Sequence, residues 1–144
     1  MKRSYLLVGV LIAAIVIVGG YFGVAAFVYE SVSRVEPHCG GRFSENTPAS
    51  WTPPSWALAE FDAEPFFMPE YRDVRFPGRD GSLELHGWWV PASSGVEGPA
   101  VIVVHGLGSC IRDREVLLPA GMLSHLGYAV LMVDLRDHGE SDVE

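Results

Sequence analysis

Residues 99–109, PAVIVVHGLGS, and residues 128–141, YAVLMVDLRDHGES, decide the fold of this chain. Each is an apolar run that breaks into a turn of small and polar residues. Ala100–Val104 is apolar at every position, as expected of a central parallel strand covered on both faces. A parallel return to Tyr128–Val133 needs a crossover helix. That helix either starts at Asp113 and kinks at Pro119, or starts near Pro119, where proline suits a first turn. Leu118, Met122 and Leu126 would share one of its faces, and Gly127 would end it.

Working outward, Val74 and Phe76 alternate with Asp73 and Arg75 after Arg72, the pattern of a half-buried strand. Gly78-Arg79-Asp80-Gly81 is a turn signal. Leu83, Leu85, Gly87 and Trp89 then mark one face of a second strand ending at Pro91, and residues 93–98 form a loop. The order hairpin, strand, helix, strand predicts an α/β fold, a doubly wound sheet with an antiparallel hairpin at its start.

The two turns are where chemistry would sit. In His105-Gly106-Leu107-Gly108 the small residues let the backbone turn sharply at the sheet's carboxyl edge. Ligands gather at that edge, and free amides there can stabilise a developing oxyanion. The second turn is Asp134-Leu135-Arg136-Asp137-His138-Gly139-Glu140-Ser141. A strand–HGxG–helix–strand–DxRxHGxS layout resembles the first half of an α/β-hydrolase catalytic domain, in its esterase, lipase and peptidase branches. The resemblance covers about residues 65–144.

The resemblance implies that the Leu107 backbone N–H is one oxyanion-hole donor and that His105 orients backbone instead of acting as the base. It implies that Gly106, Gly108, Asp134, Arg136, His138 and Gly139 shape the loops. Asp137 stands where the family usually has Gly, and Asp tolerates positive φ better than most residues. Ser141 and His138 look like triad members, but Gly139-Glu140-Ser141-Asp142-Val143 lacks the second Gly of a nucleophile elbow. The implied Ser-Asp-His triad would lie beyond residue 144, so the chain reads as an N-terminal fragment without nucleophile, acid or base. Its completed form would hydrolyse ester or amide acyl bonds of a small-molecule substrate, with no metal or organic cofactor. Alone, its last strand is expected to leave an unpaired hydrophobic edge.

Tyr5–Tyr29 is 25 residues without Asp, Glu, Lys, Arg or His. As a helix it would run roughly 37 Å, enough to cross a hydrocarbon core of about 30 Å. Lys2 and Arg3 precede it, which predicts a cytoplasmic N-terminus and an extracytoplasmic domain at the cell membrane. A cleaved signal peptide is the rival reading, with Gly23-Val24-Ala25 as its site, but its apolar core would be shorter. Gly19 and Gly23 give one GxxxG match, common in membrane helices. The organisation is therefore anchor (1–30), linker arm (31–64) and hydrolase-like part (65–144). Six prolines between residues 37 and 70 oppose long elements there. Trp51, Trp56, Phe61, Phe66 and Phe67 oppose full disorder. An extended arm with a short helix near Ser55–Phe61 is expected, packed on the domain or lying at the membrane surface.

Ten basic and eighteen acidic residues give a net charge of −8, and setting aside Lys2 and Arg3 leaves −10 for the rest. That disfavours nucleic acid as a partner. Cys39 and Cys110 are 71 positions apart with Cys39 in the linker, and the expectation is that they do not pair. The histidines His38, His86, His105, His125 and His138 lack zinc-ligand spacing. Two other classes compete. Gly106-Leu107-Gly108 followed by Asp134 imitates a dinucleotide-binding Rossmann unit, but Ile111 stands where its third Gly belongs. A non-catalytic, membrane-anchored binding module is the other.

Overall fold

Between Lys2 and Ser33 no proline interrupts the run. In the computed structural model this stretch is one helix, α1 (Lys2–Ser33). Residues 2–33, 36–41, 43, 45–53, 61–92 and 98–143 are described. Leu7–Ser33 is long and apolar enough to cross a membrane, and its side chains are uncovered by protein. The Ser31 and Ser33 hydroxyls donate back to the Phe27 and Tyr29 carbonyls at 2.8 and 2.7 Å, so the polar end of the helix satisfies itself.

Met1–Arg34 and Val35–Glu144 are separate units. The second contains β1 (Glu36–Pro37), β2 (Arg72–Pro77), β3 (Glu84–Val90), β4 (Ala100–Val104), α2 (Arg114–His125), β5 (Ala129–Val133) and β6 (His138–Gly139). Short 3-10 turns occupy His38–Gly41 and Glu64–Phe66. The main sheet runs β2-β3-β5-β4, with β2–β3 and β3–β5 antiparallel and β5–β4 parallel. An apolar N-terminal helix followed by a mixed sheet and a crossover helix is the α/β arrangement expected.

Three details differ. β4 is an edge strand, with Ile102 and Val104 exposed, and of the two parallel strands β5 is the one with a neighbour on each side. The last core strand therefore leaves no free edge. A continuous apolar run marked both strands alike, and pairing order, which periodicity does not encode, separated them. On β3 the more buried side chains are His86, Trp88 and Val90, and Leu85 and Trp89 are only half-buried. The even face is the one that meets α2 and the residues before β2. On α2 the buried face is Val116, Leu117, Ala120 and Gly121, whereas Met122 and Leu126 are exposed.

The helix starts at the earlier of its two expected points. The Asp113 carboxylate accepts the Glu115 N–H at 3.0 Å as N-cap, and Pro119 is accommodated inside the helix. At the other end Gly127 (φ 90°) donates to Ser124 O and Tyr128 donates to Leu123 O, the paired bonds of a Schellman stop. The core lies between this helix and one sheet face: Trp88, Val90, Val130 and Met132 against Ile111, Val116, Leu117 and Ala120. Trp51, Ala63 and Met68 close it, so aromatic and apolar residues ahead of β2 are core residues of this unit. The short helix expected near Ser55–Phe61 and the loop at 93–98 fall almost wholly outside the described residues.

The cysteines form a disulfide, against expectation. β1 pairs in parallel with β6, Glu36 with His138 and Pro37 with Gly139, and the following 3-10 turn brings Cys39 to a Cα–Cα distance of 5.6 Å from Cys110. Both cysteines are buried. The segment looked like a free tether because its pairing partner is a two-residue strand in a loop about 100 positions later.

Candidate functional site

Parallel strands β4 and β5 end side by side, and their exit loops start at His105 and Asp134. His105 is buried and ties the two loops together. Its Nε2 accepts the Leu135 N–H at 3.0 Å, which leaves the hydrogen on Nδ1, and Nδ1 donates to the Gly106 carbonyl at 2.8 Å. Used on both nitrogens, the ring holds the backbone of both loops. The chain then turns through Leu107 and Gly108, and the Ser109 N–H returns to the Gly106 carbonyl at 3.3 Å. Among the described residues the Leu107 N–H meets no acceptor, and the residue is 72% exposed.

The second loop wraps around the Asp134 carboxylate. Its Oδ1 accepts the Ile111 N–H at 2.9 Å, and its Oδ2 accepts the Glu140 N–H at 3.1 Å and the His86 Nδ1–H at 3.0 Å. Gly139 (φ 55°) passes so close that a Cβ there would overlap this carboxylate. Asp137 has φ 64°, the left-handed conformation for which the resemblance leads one to expect Gly. The His138 Nδ1 hydrogen bonds the Arg136 carbonyl at 2.9 Å, and the His138 and His105 rings lie 5.1 Å apart. Arg136 reaches its neighbour Asp137 at 3.4 Å. The Ser141 hydroxyl donates to the Asp134 carbonyl at 2.7 Å and accepts the His86 N–H at 2.9 Å. It is buried and bound, which suits a structural hydroxyl.

Residues to which the sequence assigned no site role complete the arrangement. His86 is buried on β3 between two carboxylates, with Asp134 on Nδ1 and Asp73 of β2 on Nε2 at 2.9 Å. Asp73 Oδ1 also accepts the Trp88 indole N–H at 3.1 Å. Burial pulls the His86 pKa down, but the hydrogen bonds to Asp134 and Asp73 outweigh it and the net shift is upward. Asp134 is lowered: burial opposes ionisation, and the hydrogen bonds from His86 and from the Ile111 and Glu140 amides overcome it. Asp73 is lowered chiefly by its bond to His86. A histidine inside an apolar strand and an aspartate one strand away were the available signal, but their register becomes visible only once β2 and β3 are paired.

Arg112 is the other unforeseen residue. Its guanidinium donates to the Asn46 carbonyl at 3.0 Å, pairs with Glu140 and lies 5.1 Å from the Trp88 ring centre. Asn46 answers by donating to the Arg112 carbonyl at 3.1 Å.

This geometry weighs against a dinucleotide site. Ile111 is fully buried, and the Asp134 carboxylate faces inward to amides and an imidazole, leaving no oxygen turned outward to a ribose.

No family model matches the chain. A stretch of 73 residues is 38% identical to uncharacterized proteins of two Mycobacterium tuberculosis strains, covering 50% of this chain and 25% of each relative. Among solved structures, the Pyrococcus furiosus esterase Pf2001 in three crystal forms aligns with a TM-score of 0.46 at 26–27% identity. That alignment covers 64–65% of this chain and 32–35% of the esterase. The chain thus spans a quarter to about a third of the length of the proteins it matches.

Proposed function

We propose that this chain is the anchor and N-terminal part of a membrane-bound α/β-hydrolase. The complete protein hydrolyses ester- or amide-type acyl bonds through a Ser-Asp-His triad contributed beyond residue 144. One observation carries the reading. The HGLG and DLRDHGES loops lie side by side at the ends of adjacent parallel strands, tied by His105, while among the described residues the Leu107 N–H meets no acceptor. An amide held by its neighbours that, among the described residues, meets no acceptor suits a developing oxyanion. The loop-shaping roles of Gly106, Gly108, Asp134, Arg136, His138 and Gly139 follow from the same reading, as does a small-molecule acyl substrate.

The helix Lys2–Ser33 supplies the anchor, and Lys2 and Arg3 favour a cytoplasmic N-terminus. A buried disulfide in the following unit supports placing it on the oxidising side of the membrane. The full-length gene product in its native membranes tests the proposal through labelling with a fluorescent alkyl phosphonate. The expected adduct is on one serine, in a Gly-x-Ser-x-Gly turn downstream of Glu144. A full-length protein that remains unlabelled and has no such turn sinks it.

A further inference from the structure

We infer that His86 is a buried imidazolium whose charge holds the Asp134 carboxylate in place and, through it, positions both loops of the candidate site. Both ring nitrogens face carboxylate oxygens, Asp134 Oδ2 at 3.0 Å and Asp73 Oδ1 at 2.9 Å. An ionised carboxylate only accepts, so both bonds form only when each nitrogen carries a hydrogen. A neutral ring would turn a lone pair toward one of the two anions.

The charge matters because Asp134 is buried. Its side chain is 2% exposed and takes the Ile111 amide from the loop bearing Leu107 and the Glu140 amide from its own loop. A buried carboxylate without a compensating cation is strongly destabilised. When the His86 proton leaves, that cost falls on the group joining the two loops. Asp73 sets when this occurs. It is 69% exposed, so it stabilises the imidazolium from the solvent side, and an asparagine in its place keeps an Oδ1 that can accept the Trp88 indole N–H. The other charges acting on this cluster are Glu140, which favours the protonated ring, and Arg112, which acts on Asp73. His86 is thus a positioning residue that acts through Asp134. What the loops are positioned for rests on the hydrolase reading; the clamp itself does not.

The test uses the full 144-residue chain, isotope-labelled, in detergent micelles. Imidazole nitrogen NMR and amide hydrogen exchange are followed from about pH 5 to about pH 9 in the wild type and in Asp73→Asn. Both His86 nitrogens are expected to carry hydrogens at neutral pH in the wild type. Asp73→Asn should lose that proton at lower pH. In the interval where only the variant is neutral, its Ile111 and Glu140 amides should exchange about tenfold faster than wild type or more. A His86 that is neutral near pH 7 in the wild type overturns the inference. So do Ile111 and Glu140 amides whose exchange ignores the His86 proton. Phosphonate labelling plays no part in either readout, so the clamp and the hydrolase reading fail separately.

Discussion

The Ile111 backbone N–H donates to Asp134 Oδ1 across 2.9 Å, joining loops whose residues are 23 positions apart in sequence. Around this contact the same carboxylate takes Glu140 N–H and His86 Nδ1–H, so three groups from three segments converge on one side chain. Asp134→Asn brings an NH2 to face at least one of these donors. It is expected to cost about 3 kcal/mol, the range for breaking a buried, charged hydrogen-bond network. Urea unfolding of the variant beside wild type measures it; a loss below about 0.5 kcal/mol would show that the convergence contributes little.

Reduction of Cys39–Cys110 removes a cross-link between residues 71 positions apart. Closing a loop of that length is worth about 4 kcal/mol in the chain-entropy model. Cys39→Ser paired with Cys110→Ser should lower the unfolding midpoint accordingly. Peptide mapping without reductant should recover the two cysteines in one linked species, and two free thiols in the oxidised protein would contradict the fold described for residues 36–41.

Asp137 sits at φ 64°. Asp137→Gly should therefore be neutral or slightly stabilising, whereas Asp137→Val should lose about 1–2 kcal/mol, because a β-branched side chain resists this conformation. The ordering Gly, Asp, Val in thermal midpoint is the check. Equal midpoints for the Gly and Val variants would refute a left-handed residue here.

Stability should have a maximum bounded on both sides. Asp134 and Asp73 have folded pKa values below the usual 3.8, so their contribution is present above that pH and is lost as pH falls through the lowered values. His86 is raised above 6.5, so its contribution is complete below that pH and is lost as pH rises through the raised value. Denaturant midpoints across this range should decline below the carboxylate value and again above 6.5. His86→Gln should abolish the alkaline decline, and an unchanged decline in that variant would assign it to another group.

The parts of the fold set by local pattern were legible in the sequence: the helix over the charge-free run, the hairpin around Gly78–Gly81, the crossover and the two strand-end loops. The Gly127 stop was equally local, and the Asp113 start was one of two the sequence left open. What stayed hidden depended on pairing across distance. Nothing near Ala100–Val104 says that it lies at the edge while Ala129–Val133 lies inside. The His86 environment exists only when β2, β3 and the loop after β5 meet. Glu36–Pro37 is too short to announce a strand, and without that pairing Cys39 looks untethered. In the candidate site, the positive φ of Asp137 was readable by resemblance to known loops, and the contacts of His86 with Asp134 and Asp73 and of Arg112 with Glu140 were not.

The pairing of Glu36–Pro37 with His138–Gly139 bears on how the protein should be handled at the bench. Trimming the chain to start at residue 65 would discard β1, the Trp51 that caps the core and the Asn46 that Arg112 grips. It would also leave Cys110 as a lone thiol prone to scrambling between molecules. A soluble version for biochemistry should instead drop the helix and begin just ahead of Glu36, secreted into an oxidising compartment.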